Sequence, residues 1–129
     1  MYKINLIKLL DLVETEEHDK IEAKELANKI LKENFWTVPV VIEVNTNAIM
    51  DGHHRLEAAK IMGLSKIPCI KLDYNSNYVR VLSWKTNKTI HINKIMKIIK
   101  EGKKFPLKTT RHIFNPAIKE INIPIELLY

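Results

Sequence analysis

The chain has 129 residues, 46% hydrophobic and 28% charged, which suits one folded domain with its own core and excludes a disordered or fibrous chain. Its 21 basic and 15 acidic residues leave a net charge of +6 and a pI near 9.4, which favours anionic partners. No apolar run approaches the ~20 residues that cross a bilayer, the start MYKINLIKLLDL lacks a signal-peptide layout, and Cys69 has no second cysteine to pair with, so a cytoplasmic, reducing location and no membrane partner are expected.

In chain order, residues 4–9 predict a short strand. The spacing over 21–33 predicts a helix, with Asp19 as its N-cap and Ile21, Leu26, Ile30 and Leu31 as its apolar stripe. Residues 38–44 are β-rich, Asn45-Thr46-Asn47 is turn chemistry, and Ala48-Ile49-Met50 returns as a second strand, so 38–50 predicts a hairpin. A helix over 53–62 ends at Gly63. Strands follow at 67–72 and 78–84, then a helix over 92–101 closed by Gly102. A polar stretch at 103–112 reads as a loop, and an apolar segment at 121–128 closes the chain. The sum is a mixed α+β domain without repeats, low-complexity tracts or linkers.

Three short segments carry chemistry. In Asp51-Gly52-His53-His54-Arg55 a glycine stands between a strand and a helix, where backbone can approach a ligand and the free N–H groups of the helix start attract an anion. The plain alternative is that Asp51 caps the helix and the histidines lie at the surface. Thr15-Glu16-Glu17-His18-Asp19 puts carboxylates before the first helix. That suits the helix dipole, or a base that accepts a proton from a hydroxyl. Lys108-Thr109-Thr110-Arg111-His112 offers two hydroxyls, a guanidinium and an imidazole to a carboxylate or phosphate, or is an ordinary polar loop. Of only three arginines, Arg55 and Arg111 fall in these segments and Arg80 outside them, in a chain that otherwise takes its positive charge from lysine. Trp36, Phe35 and Trp84 read first as core or half-buried residues. The phosphate loops GxxxxGK[ST] and GxGxxG are absent, as are HExxH and cysteine-rich zinc spacing.

Taken together, the three segments resemble the ParB/sulfiredoxin-fold superfamily, MDGHHRLEAAKIMGLSKIPCI being similar to its phosphate-binding segment. Within it the chain is most similar to the free L-serine kinases, from about Ile4 to Leu128. His53 stands where sulfiredoxins carry their catalytic cysteine, and the chain leaves no room for the helix-turn-helix and dimerisation domains of ParB partition proteins. The resemblance implies a compact domain over 1–129, a small mixed sheet flanked by helices, with a core at about 4–84 and a C-terminal helix and TTRH segment at about 91–128. It implies a kinase that uses ADP or ATP, with Mg²⁺, to convert free L-serine to O-phospho-L-serine. Glu16 would be the general base, with Glu17 its rival. Asp51 would act through Mg²⁺ or by positioning the reacting groups. Gly52, His53, His54 and Arg55 would hold the nucleotide phosphates. Thr109, Thr110, Arg111 and His112 would hold the amino acid or product phosphate, with Trp84 lining that pocket. Longer kinases of this type insert a further helical segment before the TTRH-like part. Here there is room for a single helix between Trp84 and Thr109. The competing reading is a non-catalytic module that senses a nucleotide or binds DNA.

Overall fold

A computed structural model describes residues 2–129. The chain begins with β1 (Asn5–Lys8), a 3-10 turn at Leu9–Asp11 and α1 (Lys20–Glu33). Next come β2 (Phe35–Trp36), β3 (Val40–Glu43), β4 (Ile49–Asp51), α2 (His53–Met62) and β5 (Lys66–Leu72). The C-terminal part holds β6 (Val79–Ser83), α3 (Ile92–Lys100), β7 (Thr110–Phe114), β8 (Ile123–Pro124) and a final 3-10 turn at Ile125–Leu128.

The β-branched run Val40-Val41-Ile42 makes β3 the hub of a four-stranded mixed sheet in the order β1-β5-β3-β4. β3 pairs parallel with β5 and antiparallel with β4, and β5 pairs antiparallel with β1. All four residues of β3 are buried, as expected of a strand covered on both faces. Val40 and Ile42 join the layer containing α1 and α2, whereas Val41 joins the layer formed by β6 and α3. The fold is thus α+β, a small mixed sheet flanked by helices. The predicted hairpin is held by a buried carboxylate. Glu43 Oε1 accepts hydrogen bonds from the N–H groups of Asn45 (3.0 Å) and Thr46 (2.9 Å) and from Thr46 Oγ1 (2.9 Å), which offsets the cost of taking that charge out of water.

The helix limits agree closely with the sequence pattern, and Asp19 does cap α1 by accepting from Ile21 N–H and Glu22 N–H. The expected stripe holds at Leu26 and Ile30 but not at Ile21 and Leu31. Ile21 is 72% and Leu31 41% exposed, while Ala23, Ala27 and Ile30 are buried. α1 packs on α2, and Ala27 shares a core with Ala58 and Ala59 of α2. Small side chains let two helices approach closely, so the buried face is not the most hydrophobic one.

Other corrections concern pairing partners far apart in sequence. The expected loop at 103–112 ends in a strand: Thr110–Phe114 pairs antiparallel with Val79–Ser83. Phe35–Trp36 is a strand because Ile123–Pro124 pairs with it. The core also extends past residue 84, since Ile95, Phe105, Ile125 and Leu128 are buried. Trp36 and Cys69 lie in the core, and burial pushes the Cys69 thiol up to about 12, so it packs as a small apolar group. No helix among the described residues is long and apolar enough to cross a membrane.

Enlarging the alanine face of α1 is expected to overpack the α1–α2 contact: Ala27→Leu should cost about 1–3 kcal/mol, whereas Ile21→Ala should stay within about 0.5 kcal/mol. Urea unfolding of the two variants checks this, and the opposite ranking would return the buried face to Ile21 and Leu31.

Candidate functional site

α2 begins without a side-chain cap. Gly52 occupies the cap position at φ +116°, a conformation that L side chains rarely adopt, and a Cβ there would lie 2.9 Å from Val40 Cγ2. Asp51 is the last residue of β4 and does not cap the helix. Its half-exposed carboxylate lies 3.9 Å from Arg55 Nη1. The other two α-helices are capped by side chains, Asp19 for α1 and His91 for α3. The positive end of α2 is therefore open, into a cleft of about 430 Å³ lined by Asp51, Gly52, His53, His54 and Arg55.

Across the cleft lies the extended arm that carries Glu16. Two histidines of α2 hold this arm as hydrogen-bond acceptors. His53 Nε2 accepts from Thr15 N–H (3.0 Å) and Glu16 N–H (3.2 Å), and His54 Nε2 accepts from Asp19 N–H (2.9 Å). Two amide donors on one ring nitrogen place the His53 proton on Nδ1 and keep the ring neutral. Burial above all lowers its pKa to about 4. The far edge of the arm is stitched to the C-terminal half: Glu17 N–H donates to the Phe105 carbonyl (2.8 Å) and Phe105 N–H to that of Thr15 (2.8 Å).

The Glu16 side chain is then gripped by the TTRH segment. Its Oε1 accepts from Thr109 N–H (3.2 Å), Thr110 N–H (2.9 Å) and Thr110 Oγ1 (2.9 Å), and Oε2 takes none of these bonds. Glu17, by contrast, is exposed. Of the threonines expected to hold substrate, the Thr110 hydroxyl is thus committed to Glu16, and the Thr109 hydroxyl donates to the Pro106 carbonyl (2.6 Å). The histidine side chains expected to meet phosphates are likewise committed to the arm. In both cases the polar atoms satisfy buried partners that only the tertiary fold supplies.

Glu16, Trp84, Thr110, Arg111 and His112 line the same cleft as the α2 turn, while Thr109 reaches it only through its N–H to Glu16. The Arg111 guanidinium stacks over the Trp84 ring at 5.2 Å and donates to Asn87 Oδ1. His112 Nε2 shares a 2.8 Å hydrogen bond with the Tyr74 hydroxyl. Burial lowers the imidazole pKa to about 3 and raises that of the phenol, so both are neutral. Sequence reading missed Tyr74 and Asn87, which stand behind these two side chains. It also gave no role to Lys108, Glu22 or Leu26, which line the cleft. Only Asn87, at φ +59°, carried a local signal, an asparagine suited to a tight turn.

Behind the arm, Glu14, His18 and Glu57 form a cluster with metal-like ligand spacing. Lys60 lies 3.4 Å from Glu14 and 3.8 Å from Glu57, and Lys104 3.7 Å from Glu14. The two ammonium groups balance the two carboxylates, so the cluster is an ion-pair network that ties the arm to α2.

No family model matches the chain. Over 83 residues, 61% of this chain, it is 40% identical to an ATP-dependent L-serine kinase of Desulfurococcus mucosus and covers 32% of that protein. Over 56 residues, 43% of this chain, it is 43% identical to a ParB-like protein of Sulfolobus acidocaldarius and covers 28% of that one. It thus spans about a third of the length of these curated relatives. A free serine kinase in complex with AMP superposes with a TM-score of 0.87 over 99% of this chain and 94% of the other, at 15% identity. The chain shares the fold of that free serine kinase. In this fold the uncapped glycine turn and the glutamate arm face each other across one cleft, and the C-terminal segment closes its third side.

The neutral histidines make the fold acid-sensitive. Unfolded histidine takes up a proton near 6.5, whereas folded His53 resists it until about 4, so the unfolded chain binds more protons between those values. Stability is complete above pH 6.5 and falls as the pH drops toward 4, by about 3 kcal/mol from His53 alone. His112, lowered to about 3, continues the loss in the same direction. Urea titrations at pH 7.5, 5.5 and 4.5 should show this slope, and His53→Gln should flatten it. An unchanged slope in that variant would remove His53 as the acid-sensitive group.

Proposed function

We propose that the chain is a nucleotide-dependent kinase that phosphorylates free L-serine to O-phospho-L-serine, with Glu16 as general base. The observation that carries this reading is the Glu16 carboxylate itself. Three donors from Thr109 and Thr110 hold Oε1, so Oε2 is left to accept a proton, in the cleft onto which the uncapped helix opens. Curated relatives named ATP-dependent L-serine kinases, and a structural neighbour solved with AMP, support a nucleotide as donor and serine as acceptor. We take ATP as the donor, following the relatives' names.

In this mechanism the phosphates sit at the start of α2, where Gly52 lets backbone come close and the N–H groups of His53, His54 and Arg55 supply donors. His53 and His54 contribute through their backbone and hold the arm with their rings. The serine hydroxyl lies against Glu16 Oε2. As the Oγ–phosphorus bond forms, its proton passes to the carboxylate, and the bond from phosphorus to the bridging oxygen breaks to release the nucleotide product. Arg111 and His112 hold the amino acid beside Trp84. The donor set at the turn fits Mg²⁺: Asp51 is an exposed carboxylate beside the phosphate position, and its nearest cation, Arg55, is 3.9 Å away. Bound there with the phosphates, Mg²⁺ would neutralise charge on the transferring group.

The test incubates the protein with L-serine, Mg²⁺ and either ATP or ADP, and measures O-phosphoserine by mass spectrometry. Glu16→Gln keeps an acceptor for the Thr109 and Thr110 N–H groups but cannot take the proton. It should lose about 10²–10⁴-fold in kcat with nucleotide affinity unchanged, while Glu17→Gln should remain near the parent. Nucleotide binding by the parent protein without product from either donor would replace the kinase reading with a sensor.

A further inference from the structure

We propose that Lys108 is a catalytic residue, the cation that meets the terminal phosphoryl group as it moves. This rests on the kinase reading of the cleft. A phosphoryl transfer needs positive charge at the transferring oxygens, and most of the side chains lining this cleft that could supply it are committed elsewhere. Arg55 donates to the Pro39 carbonyl at 3.3 Å and faces Asp51. Arg111 is stacked on Trp84, bonded to Asn87 and, in the kinase reading, given to the amino acid. The ring Nε2 of His53 and of His54 accepts backbone N–H groups, and that of His112 is paired with Tyr74. Lys108 also lines the cleft, is exposed, and makes no ion pair or side-chain hydrogen bond among the described residues. Among the described residues it is the one cation there that is free to follow a ligand.

Its backbone points the same way. Lys108 stands at φ +54°, in the left-handed region where glycine or asparagine would sit with less strain. Non-glycine residues held there gather at functional sites. The next two residues supply the N–H groups that hold Glu16, so the segment that carries the cation also positions the base. In the step, serine Oγ bonds to the terminal phosphorus, the bond to the bridging oxygen breaks with its electron pair leaving on the nucleotide, and the hydroxyl proton goes to Glu16. Lys108 remains protonated throughout and lowers the energy of the oxygens between the two bonds.

The test compares Lys108→Gly and Lys108→Arg with the parent protein in the phosphoserine assay. Lys108→Gly suits the left-handed backbone and removes the whole side chain, its ammonium included. It should keep or raise Tm, lose about 100-fold or more in kcat, shift KM for serine by less than about threefold, and recover activity when methylammonium is added. Lys108→Arg should stay within about tenfold of the parent. Full activity in Lys108→Gly, or a loss that methylammonium does not restore and that Lys108→Arg shares, would overturn the proposal and leave the kinase reading intact. A parent protein that makes no phosphoserine from ATP or ADP would instead defeat the kinase reading, and this proposal with it.

Discussion

Three segments that are remote in sequence meet at Glu16. Its backbone N–H is held by His53, and its Oε1 by the N–H groups of Thr109 and Thr110 and by the Thr110 hydroxyl. Such an arrangement is costly in loop closure and needs the rest of the molecule to be in place first. The sheet sets β4 beside β3 and so aims α2, the β6–β7 pair brings residues 109–110 to the cleft, and the cross-bridges between Thr15, Glu17 and Phe105 lock the arm between them. The two core layers serve as supports for that convergence. A change in either layer moves one wall of the cleft relative to another.

The grip also explains why the histidines must be neutral. An imidazolium has no acceptor nitrogen, so protonating His53 would take away the partner of two backbone N–H groups and put a charge into a buried site. Burial keeps the ring neutral down to about pH 4, well below where free histidine titrates. The same logic holds at His112, whose partner is a phenol kept protonated by its own burial. A cleft with neutral imidazoles must take its positive charge from backbone dipoles, arginine and lysine.

Much of this was readable from the sequence because it is local. The strand–glycine–helix turn at 50–53, the Asp19 cap, the hairpin at 38–50 and the glycine after α2 each depend on a few neighbouring residues. The three segments that line the cleft were legible as well, since histidine, arginine and threonine clusters stand out in a lysine-rich chain. What could not be read was direction and partner. Whether a histidine donates to a ligand or accepts from a backbone is decided by residues 35 to 38 positions away. β7 exists because β6 lies beside it, and the buried face of α1 is alanine because α2 presses against it. Periodicity ranks residues by hydrophobicity, while close packing selects them by size.

The commitments of the polar side chains therefore carry more information than their mere presence. Residue types that could bind an anion are common in this chain, and most of those that line the cleft are tied to a structural partner once the fold closes. Among the described residues, the cleft groups without such a partner include the first N–H groups of α2, one oxygen of Glu16, the exposed Glu17 carboxylate and the ammonium of Lys108. An anion acceptor set, a proton acceptor and a mobile cation on three sides of one cleft are the minimum that transfer of a phosphoryl group to a hydroxyl requires. The tied residues give that set its rigidity, because each hydrogen bond spent on the arm removes a degree of freedom from the base.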